Sequence, residues 1–164
     1  MAKAALALVS VLCLLALAGP AHCHDDKGAF HVQGKVYCDT CRVLFPTRLS
    51  EYLAGAEVEL KCRHLENKTE TLSVTGRTNK DGHYKLAVEG DHDDEMCEVN
   101  VISSPNPECN EHNSEISSAI VSLAKNSGIR SDSRFCNPIG FRKKTALPNC
   151  AEVFDELGFV PFSH

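Results

Sequence analysis

The chain has 164 residues, of which 43% are hydrophobic and 24% charged, with a formal charge of −5, nine Cys and no Trp. That length suits one ordinary domain. The mildly acidic balance argues against nucleic acid or an anionic membrane as the principal partner.

The first segment reads as a secretory signal peptide. Lys3 supplies a positive start, Ala4 to Leu17 is an almost unbroken apolar run, and Gly19-Pro20 breaks it. The run is short for a bilayer span. No second segment of this kind follows, so the expected organisation is a signal peptide over 1–23 and one β domain over 24–164, without a membrane span in the mature chain. Cleavage after Cys23 places Ala21 and Cys23 in the recognition positions; cleavage after Ala18 would use Ala16 and Ala18. Removing residues 1–23, with Lys3, takes the formal charge from −5 to −6.

Downstream the text has the period of β-structure. Phe30 to Tyr37 alternates through Phe30, Val32 and Val36. Ala56, Val58 and Leu60 alternate with Glu57, Glu59 and Lys61, as a half-buried strand does. Leu72 and Val74 mark a third strand. Asn79-Lys80-Asp81-Gly82 reads as a turn, and Tyr84, Leu86 and Val88 alternate beyond it. Met96 to Ile102 gives another strand, ended by Pro105 and Pro107. Cys109 to Ser118 is polar and reads as a loop, Ala119 to Ala124 as a strand, and Ser127-Gly128 as a turn. A short helix should close the domain, with Asn149 as its cap, Val153, Phe154 and Leu157 on one face, and Gly158 at its end. Short strands between turns predict a mostly β fold, a small antiparallel sandwich or barrel with a short C-terminal helix.

A secretory route is oxidising, so its cysteines read first as disulfides. With Cys13 and Cys23 removed, seven remain: Cys38, Cys41, Cys62, Cys97, Cys109, Cys136 and Cys150. Six make three bridges and leave one thiol over; cleavage after Ala18 would keep Cys23 as a partner for Cys136. Cys38-Asp39-Thr40-Cys41 has three readings: a redox pair, half a zinc site, or two disulfide anchors. A redox pair wants its first cysteine at a helix N-terminus, but Val43-Leu44-Phe45-Pro46 is a poor helix start. Zinc wants a second close pair of ligands, which the sequence lacks. Disulfide anchoring is favoured.

Gln33-Gly34-Lys35-Val36-Tyr37-Cys38-Asp39-Thr40-Cys41-Arg42 resembles the signature of the Ole e I family, extracellular plant proteins typified by the major olive pollen allergen. The likeness continues through Gly55-Ala56, Thr78 to Tyr84, Cys97-Glu98-Val99, Asn137 to Phe141 and Leu147 to Cys150. It implies bridges Cys38–Cys109, Cys41–Cys150 and Cys62–Cys97; Cys136 has no counterpart in that six-cysteine pattern. It also implies a secreted, non-enzymatic interaction or signalling protein of pollen, acting in hydration, germination or tube growth. Its partner would be a receptor-kinase ectodomain or a cell-wall component, it would need no cofactor, and it would be a potential allergen. Asn67-Lys68-Thr69 is a glycosylation sequon between two strands, where a hairpin tip would be exposed. The olive-type site falls near Asn126-Ser127-Gly128, which lacks the required hydroxyl residue.

Other readings fare less well. Asp91 to Glu95 lacks the spacing of a calcium loop and reads as solvated. His31, His64, His83, His92 and His112 are scattered, and no nucleophile or phosphate-loop motif appears. Arg142-Lys143-Lys144 reads as a solvated face. A carbohydrate-binding module would want exposed aromatics, against no Trp and three Tyr. A protease inhibitor would want a rigid loop, for which Ser103 to Cys109 is the candidate. Oligomeric state is open.

Overall fold

The computed structural model describes residues 29–159; the signal-peptide reading, Cys13 and Cys23 lie outside the described residues. Among the described residues nine strands form two sheets, followed by one α-helix. They are β1 (Ala29–Asp39), β2 (Glu51–Tyr52), β3 (Glu57–His64), β4 (Glu70–Arg77), β5 (His83–Glu89), β6 (Glu95–Ser103), β7 (Ser118–Val121), β8 (Ser133–Phe135), β9 (Ile139–Arg142) and α1 (Cys150–Glu156).

The first sheet is built on β1, which is long enough to serve different partners along its length. Its N-terminal half pairs antiparallel with β5 and its C-terminal end with β2. The other edge of β1 carries β8 and then β9, both parallel to it. The second sheet is antiparallel, in the order β4-β3-β6-β7.

The core lies where the two sheets face each other. Side chains alternate across a strand, so Val58, Leu60 and Cys62 of β3 point inward while Glu57, Glu59 and Lys61 do not. Tyr84, Leu86 and Val88 do the same from β5, and Cys97, Val99 and Val101 from β6. Leu60 sits at the centre, opposite Val74 on one side and Val99 on the other.

Local chemistry sets the turns. The Asn79 side chain accepts the N–H groups of Asp81 and His83, at 2.9 and 3.0 Å. Gly82 follows with φ +72, a conformation that favours glycine, and its carbonyl accepts the Val36 N–H at 2.9 Å. Gly34 meets a different demand, because the Tyr84 ring lies where a side chain at position 34 would go. The helix departs from expectation in one respect. Asn149 precedes it but makes no side-chain cap hydrogen bond, and Leu157 is half exposed while Val153 is buried.

β2, β8 and β9 are additions to the strands read from the sequence. β8 inverts the usual polarity, with Arg134 3% exposed and Phe135 76% exposed. The buried guanidinium donates to the carbonyls of Ser131 and Ile129. Truncating a central core side chain creates a cavity, so Leu60→Ala should cost about 2–5 kcal/mol in urea unfolding. Phe135→Ser should stay within about 0.5 kcal/mol, although phenylalanine is the larger side chain.

Candidate interaction surface

The signature residues divide between sheet, core and turn. Gln33 donates to the Ser133 hydroxyl at 2.8 Å, joining β1 to β8. Val36 is fully buried, and Tyr37 is 1% exposed. Burial, and then the neighbouring Asp39 carboxylate, push the Tyr37 phenol well above its ordinary pKa.

Beyond Tyr37 the chain is tied down in several ways at once. Cys38 is bonded to Cys109, and Cys41 to Cys150. The Asp39 carboxylate accepts the N–H groups of Val43 and Leu44, at 3.1 and 2.9 Å. Those bonds hold a turn in which Arg42 and Leu44 have φ 59 and 69. The Thr40 hydroxyl donates to the Leu49 carbonyl at 2.8 Å. Arg42 forks onto both oxygens of Glu111, at 2.7 and 3.2 Å, and also donates to the Lys143 carbonyl at 2.5 Å. The third bridge, Cys62–Cys97, joins facing residues of β3 and β6.

This framework presents an open groove. Leu44, Phe45 and Pro46 leave the fixed turn and line it together with Ala119 and Ile120 of β7 and with Pro138, around a volume of about 630 Å³. Glu98 and Glu115 add two carboxyl groups to the lining. Ile120 is 71% exposed although it lies on a strand, and β7 is the last strand of its sheet. Phe45 also lines an adjoining hollow of about 300 Å³ with Val43, Phe154 and Phe159. The apolar surface therefore runs from β7 across Phe45 to the chain beyond α1.

The remaining sequence candidates sit elsewhere. Asn67 is exposed in the β3–β4 turn, and its side-chain oxygen accepts from the N–H and hydroxyl of Thr69, at 3.0 and 2.7 Å. The Ser103–Cys109 segment is stiffened by hydrogen bonds around Asn106 and anchored by the Cys38–Cys109 bridge. In the basic run, Arg142 and Lys144 face Glu111 and Glu108, at 3.3 and 3.9 Å.

Among the described residues Cys136 has no disulfide partner, and it is half-buried. Burial pushes its thiol above the usual pKa, and the neighbouring Tyr84 hydroxyl works in the other direction.

Asp91, Asp93 and Asp94 are exposed, as the solvated reading expects, but His92 departs from it: it is 8% exposed and its Nδ1 lies 2.8 Å from Glu95 Oε2. Burial alone would raise the Glu95 pKa. Hydrogen bonds from Thr71 and His92 outweigh it and hold the group below the ordinary carboxylate value.

The family model described as "Pollen protein Ole e 1 like" matches residues 28–158. The chain belongs to the Ole e 1 family of pollen proteins. It is 50% identical to the anther-specific protein LAT52 of Solanum lycopersicum, over 98% of each chain. It is 44% identical to the pollen allergen Che a 1 of Chenopodium album, over 94% of this chain and 93% of that one. The crystal structure of the major plantain pollen allergen Pla l 1 superposes with a TM-score of 0.66 at 38% identity, covering 74% of this chain and 99% of that one. The family signature therefore falls on β1 and on the turn that supports the groove. The groove carries no spacing motif of its own, since its residues come from segments far apart in the chain; the proline-ended run 43–46 is the one local trace of it.

Non-reducing peptide mapping should recover Cys38–Cys109, Cys41–Cys150 and Cys62–Cys97, with Cys136 as a thiol. A Cys38–Cys41 bridge would contradict this frame. Cys41→Ser should cost about 2–5 kcal/mol and speed hydrogen exchange in residues 42–46.

Proposed function

We propose that this protein is a secreted, non-enzymatic glycoprotein that acts outside the pollen cell as an interaction or signalling protein. Its partner in this reading is a receptor-kinase ectodomain engaged during hydration, germination or tube growth. The observation that carries the reading is the open groove beside the outer strand β7, whose apolar side continues through Phe45 into the hollow at Phe154 and Phe159. A terminal strand presents unpaired backbone groups to a partner, and a contiguous exposed apolar patch marks interaction surfaces. Glu98 and Glu115 suit a partner segment that carries a basic side chain among apolar ones.

The pollen and anther names of the relatives support the tissue. A leader over 1–23 ahead of a domain over 24–164 accounts for passage to the exterior. Among the described residues no helix is long and apolar enough to cross a membrane. The allergen names of relatives support the same potential for this chain.

Tagged wild-type protein should capture a receptor ectodomain from a pollen or pistil extract. Ile120→Asp and Phe45→Ser should each weaken that capture at least tenfold while leaving circular dichroism and the disulfide map unchanged. Equal capture by both variants would move the interaction off the groove, and recovery of wall polysaccharide or a protease instead would replace the receptor reading.

Asn67 is the proposed glycan site. In secreted protein, Asn67→Gln should abolish the whole N-glycan shift on a gel; a residual shift erased by an N-glycanase would place sugar on another asparagine.

A further inference from the structure

The turn into β6 assembles chemistry that the groove does not use. Cys62 and Cys97 face each other across β3 and β6, with their Cα atoms 4.0 Å apart. A ligand atom from each of Cys62, His92, Glu95 and Cys97 lies within 4.8 Å of the others. The imidazole of His92 is 8% exposed, and its Nδ1 is 2.8 Å from Glu95 Oε2. Its other nitrogen, Nε2, is buried without a hydrogen-bond partner among the described residues. Glu95 is held in turn by the Thr71 hydroxyl, 2.6 Å from the same oxygen.

That arrangement has a chemical meaning. Metal-ligating histidines commonly give one ring N–H to a carboxylate, which fixes the ring and makes the other nitrogen a better donor. Here the carboxylate is in place and the other nitrogen is unused. Two cysteine sulfurs beside an imidazole form a donor set suited to zinc. While the sulfurs are bonded to each other they lack the thiolate charge that ligation needs.

We propose that Cys62, Cys97 and His92, oriented by Glu95, form a zinc site whenever the cysteines are reduced. The disulfide and the metal are then alternative occupants of one place. The dithiol exists on the newly made chain before oxidation. It is also regenerated when a dithiol reductant gives two electrons to the bridge and is itself oxidised to a disulfide. Binding of Zn²⁺ then releases one proton from each thiol and leaves a fourth position for water. A disulfide holds its sulfurs about 2 Å apart. Two sulfurs on tetrahedral zinc lie roughly 3.7 Å apart, so each moves by only about 1 Å. The sequence hides the site because its ligands come from two strands and a turn that only the sheet register brings together.

The test titrates Co²⁺ into the mature chain after reduction with a phosphine, following the thiolate-to-cobalt charge-transfer band and the visible bands of tetrahedral cobalt. One equivalent should bind and be displaced by Zn²⁺. His92→Gln should weaken binding at least tenfold, and Glu95→Gln by about 10–100-fold, the usual effect of removing an outer-shell partner. Cys136→Ser should have no effect. Absence of the tetrahedral spectrum, or equal affinity in His92→Gln, would overturn the site and assign any remaining signal to other thiols. Oxidative refolding gives a second readout, taken as the sheet forms and before the bridges close. Zn²⁺ should delay closure of Cys62–Cys97 relative to the other two bridges in wild type but not in His92→Gln. An equal delay of all three bridges, or the same delay in the variant, would refute the proposal.

Discussion

The covalent anchoring at the end of β1 is the constraint on which the other features depend. Cys38 and Cys41, three residues apart, hold segments 71 and 109 residues away. Closing a loop of such length restricts the unfolded chain by about 4–5 kcal/mol when taken singly. The geometric effect matters as much. β1 is the shared strand of its sheet, and its end is fixed at once to the segment before β7 and to α1. The Asp39 carboxylate and the Arg42–Glu111 fork then add hydrogen bonds to the same turn. Two residues with positive φ persist in the turn because the surroundings hold them there.

Much of this fold could be read before any coordinates because its central strands obey the period of two. β3, β5 and β6 bury apolar residues at every second position, with mostly charged or polar ones between them. The strands that stayed hidden break that rule for physical reasons. β8 buries Arg134 and exposes Phe135, so its pattern is the reverse of a half-buried strand. β9 is short, and all of Ile139, Gly140 and Phe141 are buried, which leaves nothing to alternate. Both owe their place to parallel pairing with β1, a long-range contact that no local spacing encodes. The same holds for His92. In the sequence it stands among acidic residues and looks solvated, and only the return of the chain into β6 buries it.

The disulfide positions and the groove also differ in how they are written. Cysteines are few, so their order and spacing carry a resemblance to a family, and the signature around Cys38 and Cys41 is specific. The groove is a product of tertiary structure. Phe45 belongs to a turn, Ile120 to an edge strand and Pro138 to the link between β8 and β9. Each would pass unnoticed alone, since single exposed apolar residues are ordinary on protein surfaces. Their convergence on one concavity gives them meaning.

The two sides of that groove are held by different means. Phe45 and its neighbours follow the disulfide-linked turn, whereas Ile120 lies on a four-residue strand paired along one edge to β6. A short outer strand limits accidental edge-to-edge pairing, a common device for keeping open sheets apart. It also leaves backbone groups for a partner that brings an extended segment of its own. The apolar side chains would then supply contact area, and the carboxylates of Glu98 and Glu115 would discriminate among partners by charge. Such a division suits an interaction protein. For the proposed partner, the fixed turn would keep the aromatic contact in position before binding, which lowers the ordering cost of association, while the edge strand would leave the register of the incoming segment to be chosen by its side chains.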